Sequence, residues 1–271
     1  MIDADITADG KLHRVHVEGD KTGTRNGWYV LHSGDFPAGA FGCNRRGISG
    51  KWRSQQKHQH LNRYDREQID EQLRARVEAR EQYHSAAAAR AWQILQRATR
   101  DASEHPYCAR KRVEAHGVKC NGSGLIVIPI YSALNGLLQT VQFIASDGSK
   151  KMLTGGRLAT GCFPFQDVPD FWAKAQRRIG IGEGWATCAT LAESLPETAI
   201  FASFSAGNLI RVAMALRARY DDAAITIYGD NDVNGVGQRC ASATASAIGG
   251  LLAIPPASGD DWNDHAVRGA A

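Results

Sequence analysis

The spacing of apolar and polar positions changes several times along the chain, and each change predicts a different kind of element. Over the first 50 residues, short runs such as KLHRVHVEG and GWYVLH alternate and are broken by Gly-containing turns. That pattern predicts a small antiparallel β unit. From about Asn62 to Ala102 the text turns helical: DREQIDEQLRARVEAREQYHSAAAARAWQILQRATRDA has no Gly or Pro and few large apolar residues. It predicts a long, charged helix or a helical pair. HPYCARKRVEAHGVKCNG then leads into LIVIPIYS, LLQTVQFIAS and KKMLTGG, separated by the turn signals LNG and SDGS. An antiparallel meander over roughly residues 124–157 follows from this. CFPFQDVPDFWAKA, residues 162–175, carries Pro and aromatics and reads as a linker that packs.

From Arg178 onward the period alternates. RIGIGEG, TAIFASFS, AITIYGD and LLAIPP read as strands, separated by the helical runs WATCATLAESL, NLIRVAMALRARY and GQRCASATASAIGG. Such alternation predicts a parallel sheet flanked by helices, with the functional groups at the carboxyl ends of its strands. The expected division is a β-rich unit over 1–60, a charged helical segment over 61–104, a basic mixed α+β subdomain over 105–175 and the α/β domain over 176–271.

Acidic residues sit at those strand ends. Glu183 stands between two glycines at a strand-to-helix junction, where a long acid is not a usual turn former. Asp230 and Asp232, with Asn231 between them, follow the strand ITIY. GDDWND brings Asp261, with Asp264 behind it, after the last strand. A lone DxD is more often a turn. Three loops delivering carboxylates to one edge are a cluster of hard oxygen donors, which suits Mg²⁺ or Mn²⁺ and phosphoryl or nucleotidyl chemistry.

Charge adds an asymmetry. Residues 1–174 carry 25 Lys/Arg against 18 Asp/Glu, a balance of +7, and residues 175–271 carry 7 against 10, a balance of −3. A basic front and an acidic rear suit an enzyme that handles a polyanion at a metal site. Six scattered cysteines without a CxxC pair argue against a zinc ribbon and a secreted disulfide framework. His105, Cys108, His116 and Cys120 offer four zinc-capable side chains, but on basic text and without paired cysteines. With no membrane-length apolar run and no leader, a soluble cytoplasmic protein is expected.

At the strand-end acids the sequence resembles the Toprim fold shared by bacterial-type primases, topoisomerases and some nucleases. RIGIGEG resembles that family's glutamate motif, IYGDNDVNGVG its DxD motif, and GDDWND its third acidic segment. VIPIYSALNGLLQTVQFIASDGSKKMLTGGR resembles the basic subdomain that precedes Toprim in primases. Lys151 is the best match to the lysine of that subdomain, with Lys150 beside it and Arg157 just beyond. The whole chain is similar to primases of plasmids, conjugative elements and phages.

The resemblance implies a DNA primase: ribonucleoside triphosphates joined on single-stranded DNA, with a replicative helicase as a further partner. It implies Asp230 and Asp232 holding Mg²⁺ or Mn²⁺, with Asp261 as a further ligand. Glu183 completes the metal site or assists proton removal from the attacking 3′-hydroxyl. Lys111, Arg112, Lys150, Lys151 and Arg157 are then the cations for template or triphosphate. Two other readings stay open: a Toprim nuclease using the same carboxylates, and a non-catalytic module that binds single-stranded DNA. No Walker-type GxxxxGK[ST] is present, so no fused helicase motor is expected.

Overall fold

A computed structural model of the chain describes residues 6–33, 37–43, 45–54, 63–165 and 177–269. The chain divides into two compact units, residues 1–73 and 74–271. The boundary expected at 60/61 and most of the expected linker lie outside the described residues.

In the first unit, β1 (His13–Val15), β2 (Gly27–His32), β3 (Ala38–Cys43) and β4 (Ile48–Arg53) pair antiparallel in sequence order. The register sets Tyr29 opposite Phe41, and Phe41 opposite Gly50. Directly opposed residues share a face, so this register gathers Val15, Tyr29, Leu31, Phe41, Ile48 and Trp52 on one side of the sheet and leaves Trp28 and Val30 on the other. Few of the unit's described apolar residues are buried, namely Val15, Val17, Tyr29 and Cys43.

The charged helical text forms α1 (Arg63–Arg97). From Arg74 onward it belongs to the second unit, where Ala91 packs with Ala98 against Val127 and Val141. Small side chains give that close approach, while the described charged residues of the helix are exposed. No described helix is long and apolar enough to cross a membrane.

After α1 come β5 (Arg100–Asp101), the short helix α2 (Pro106–Lys111) and β6 (Lys119–Cys120). The meander follows as β7 (Ile126–Ser132), β8 (Leu138–Ile144) and β9 (Lys150–Met152). The linker expected from residue 162 is corrected at its start. Gly161–Pro164 form a strand, β10, with all four residues buried. Proline and aromatics suggest a linker, but here Pro164 lies at a strand end, where its missing N–H costs little. β10 pairs antiparallel both with β7 and with a strand of the α/β region, so meander and α/β region share one ten-stranded sheet.

The α/β region runs β11 (Arg178–Gly182), α3 (Trp185–Ser194), β12 (Ala199–Ala202), α4 (Ala206–Arg219), β13 (Ala224–Tyr228), α5 (Val236–Ile248), β14 (Leu251–Ala253) and α6 (Trp262–Gly269). Its strands lie in the order β14-β13-β11-β12 and all run parallel. The sequence RIGIG explains how both faces of β11 are covered. Ile179 and Ile181 pack with Leu209, Val212 and Leu216 of α4 and Ala241 and Ala245 of α5. Gly182 lies toward α3, and a Cβ there would stand 2.7 Å from the Cys188 sulfur. Only glycine lets α3 dock that closely.

Candidate active site

Because β11 and β13 are adjacent and parallel, with Gly182 level with Tyr228, their following loops leave the sheet at the same edge. Glu183 and Asp230 are therefore brought together by register alone. The backbone ties the edge further: the carbonyls of Gly182 and Glu183 accept from the amides of Ser203 and Phe204, at 2.9 and 2.8 Å. The β13 loop is bound to the loop before α6 through Asn231. Its amide donates to the Asp260 carbonyl at 2.8 Å, its carbonyl accepts from Gly259 at 2.6 Å, and its Nδ2 donates to the Pro255 carbonyl at 2.8 Å. Asn231 thus shapes the turn that separates the two aspartates.

The acids feel one another. Burial, reinforced by Glu183, Asp261 and Asp232, pushes the Asp230 carboxyl up to about 7, against a partial offset from Lys150. Glu183 is raised as well, by burial first and Asp232 second, again opposed by Lys150. Asp232 stands at the start of α5, where its Oδ2 accepts from the Gly237 amide at 2.9 Å. A Cβ on Gly237 would fall 2.9 Å from both that oxygen and the Asp230 carbonyl.

Among the described residues no group of three or more His, Cys, Asp or Glu is drawn close enough to enclose an ion. The donor set nevertheless fits a hard divalent cation on one specific ground. Asp230 Oδ1 is buried and accepts no hydrogen bond from the described residues. Buried carboxylate oxygens are normally hydrogen-bonded or bound to a cation, so this oxygen is chemically suited to meet one.

The other expected residues fall in different places. Asp261 caps α6: its Oδ1 accepts from the Asp264 amide at 2.8 Å, and its carbonyl accepts from the His265 amide at 3.0 Å. It also raises Asp230, so it lies within electrostatic reach of the acidic edge. Lys111 pairs with Asp264 at 3.0 Å and more loosely with Asp261 at 3.8 Å. Arg112 closes α2 in a left-handed conformation, φ 53°, with an exposed side chain. Arg157 is ion-paired to Glu81 of α1.

The two adjacent lysines separate. In β9, Lys150 lies opposite the buried Ile144 and Lys151 opposite Phe143. Ile144 belongs to the core shared with α2 and α3, whereas Phe143 packs in the cluster beside α1. Strand parity therefore turns Lys150, not Lys151, toward the acids. Desolvation and the nearby Lys111 lower the Lys150 pKa, while Asp261, Glu183 and Asp230 raise it. Its ammonium also lies over the Tyr107 ring, 6.0 Å from the centroid.

Three contributors are not marked by the sequence. Tyr107 is buried, its hydroxyl has no partner among the described residues, and burial raises its pKa to about 12. Asn263, 1% exposed, donates to the Lys111 carbonyl at 2.7 Å and to Thr190 Oγ1 at 2.8 Å, locking α2, α3 and α6 together. Asp260, 5% exposed, pairs with Arg268. Nothing local in GDDWND distinguishes that buried aspartate from the capping one.

The four zinc-capable residues serve other ends. His105 caps α2 through Nδ1, which accepts from the Tyr107 amide, and its Nε2 lies 3.0 Å from the Gly124 carbonyl. His116 Nε2 meets Glu193 at 2.8 Å, and Cys108 and Cys120 are buried.

The chain is similar to known proteins over its α/β region and beyond it. Residues 178–271 match the family model of the Toprim domain. Over 260 residues the chain is 36% identical to a DNA primase TraC of Escherichia coli, covering 91% of this chain and 24% of that protein. A second Escherichia coli DNA primase TraC is 33% identical over 260 residues, covering 91% and 18%. The chain thus spans about a quarter or less of the length of the curated relatives it matches. Among solved structures, a DnaG primase catalytic domain bound to ssDNA aligns with a TM-score of 0.49 and 11% identity, over 72% of this chain and 78% of that one. The Aquifex aeolicus primase, with its zinc-binding and RNA polymerase domains, gives 0.48 and 14%, over 92% and 77%. Residues 178–271, which hold the acidic edge, are thus the part of the chain that is similar to a Toprim domain.

Proposed function

We propose that this chain is the catalytic core of a DNA primase, joining ribonucleoside triphosphates on a single-stranded DNA template with release of pyrophosphate. The observation that carries the reading is the facing of Lys150 against a partly buried acidic edge that includes the orphan Asp230 oxygen. The 91% coverage of this chain by similarity to TraC primases points the same way. A hydrolase has no need of a triphosphate site, whereas a polymerase must hold a triphosphate beside its carboxylates.

Asp230 and Asp232 would hold Mg²⁺ or Mn²⁺, with Asp261 within reach as a further ligand. The cation, when bound, neutralises charge on the reacting phosphate. Glu183, already raised in pKa, accepts the proton of the attacking 3′-hydroxyl at its carboxylate oxygen. The Lys150 ammonium holds a triphosphate oxygen, a contact that supplies affinity without reading sequence. Asn231 keeps Asp230 and Asp232 at their separation.

Incubating the chain with Mg²⁺ or Mn²⁺, labelled ribonucleotides and single-stranded DNA should yield short RNA products. Asp230→Asn should reduce their synthesis at least about a thousandfold, the several kcal/mol that charge neutralisation at phosphate supplies, and leave DNA binding intact. Template degradation would make the chain a nuclease instead. A shifted, unaltered template would make it a binding module, and equal loss of synthesis and binding in the variant would sink the assignment.

A further inference from the structure

The four-stranded sheet of the first unit has two unlike faces. Strand alternation and the cross-strand register place Val15, Tyr29, Leu31, Phe41, Ile48 and Trp52 on one of them. This face carries no Lys, Arg, Asp or Glu and lines a cavity of about 260 Å³. The other face carries Arg14 opposite Trp28, then Lys51 opposite Ala40 and Arg53 opposite Ala38. No strand residue on that side is acidic. Arg14, Lys51 and Arg53 are all exposed, and among the described residues no carboxylate pairs with them.

The contrast with the neighbouring turn is informative. Arg45 meets Asp20 at 3.0 Å, and Arg46 donates to the Glu18 carbonyl at 2.7 Å, so those arginines have partners within the fold. The three cations on the face have none among the described residues. Between them β3 presents the small residues Ala38, Ala40 and Gly42, and β2 adds Val30 and His32 beside Trp28. Trp28 lies against Gly42, where a Cβ would stand 2.7 Å from the indole. The result is a shallow surface with an aromatic ring on one side and unpaired cations across the strands.

We propose that this face binds single-stranded nucleic acid, with Trp28 stacking on a base and Arg14, Lys51 and Arg53 holding phosphates. Charge complementarity selects a polyanion, and the aromatic selects unpaired bases, because a duplex keeps its base faces stacked inside. The inference deepens the primase reading by giving its template a second contact. Its test needs neither metal nor nucleotide.

The measurement is fluorescence anisotropy of a labelled single-stranded oligonucleotide with the full chain, across a salt series. Lys51→Gln with Arg53→Gln should weaken binding tenfold or more. Loss of two phosphate contacts should flatten the slope of log K against log salt by roughly 1.4. Trp28→Ala should weaken binding several-fold with the slope unchanged, and Trp28→Phe should restore most of it. Trp52→Ala, on the opposite face, and Asp230→Asn should bind as wild type, each with an unchanged circular dichroism spectrum. Wild-type affinity and slope in the double variant would overturn the proposal. So would equal affinity for a duplex of the same length, or Trp28→Phe behaving as Trp28→Ala. Retained binding by Asp230→Asn together with absent primer synthesis in the wild type would reject the primase reading while leaving this one standing.

Discussion

The two halves of the ten-stranded sheet deliver charge to the site in different ways. In the parallel half, β11 and β13 end together, so acids more than 40 residues apart in the chain meet because their strands are level. In the antiparallel half, the cation lies within a strand, and its direction depends on counting residues from a turn. Parallel strands fix a site by where they stop, antiparallel strands by parity. The first is robust to the identity of neighbouring residues. The second reverses with a slip of one.

The largest effect that tests this contrast separates Lys150 from Lys151. Lys150→Ala should lower kcat/KM for primer synthesis by about 10- to 100-fold, the range of a charge-assisted hydrogen bond to phosphate. Lys151→Ala should stay within about threefold of wild type. Equal losses would mean that parity in β9 does not decide which lysine faces the acids.

A smaller effect is expected at the parallel edge. Gly237→Ala places a methyl 2.9 Å from the Asp230 carbonyl and the Asp232 carboxylate. Repacking around it should cost about 1–3 kcal/mol, or ~2–4 °C of Tm per kcal/mol in a chain of this size. Calorimetry with and without Mn²⁺ checks it, because the ion-bound form should lose more than the ion-free form. An unchanged Tm in both would show that the edge is not tightly packed.

The smallest effect concerns the proton on Asp230. Free aspartate titrates near 3.8, and in the fold this one titrates near 7. Between those values the folded chain holds a proton that the unfolded chain has lost. This group's contribution to stability therefore falls as pH rises through that window and is level above it. In chelator, wild type should lose a few degrees of Tm relative to Asp230→Asn between about pH 5 and pH 7.5. Added Mg²⁺ should remove the difference. Parallel curves for the two proteins would show that Asp230 is ionised throughout.

How far the sequence discloses the site follows from the same contrast. RIGIGEG and IYGDND reveal Glu183, Asp230 and Asp232 because apolar runs ending in acids carry their own placement. Lys150 and Lys151 are indistinguishable in KKMLTGG, since only the pairing of Ile144 and Phe143 with β9 tells them apart. Arg157 and Lys111 read as free cations in the text, but contacts distant in sequence, with Glu81 and Asp264, engage them. Residues 161–164 hide their strand for a related reason. Two neighbours, β7 and β12, supply the pairing, and local composition does not record them.

β10 has a mechanical consequence. It joins Gly161 and Cys162 to Ser132 and Tyr131 on one side, and Phe163 and Pro164 to Ala202 and Phe201 on the other. A jaw-like opening between the lysine-bearing and acid-bearing halves would have to tear this seam, exposing buried main-chain amides and carbonyls. On the primase reading, accommodation of a template then falls to side chains and loops at the rim, and amide hydrogen exchange across β7, β10 and β12 should report a single cooperative opening.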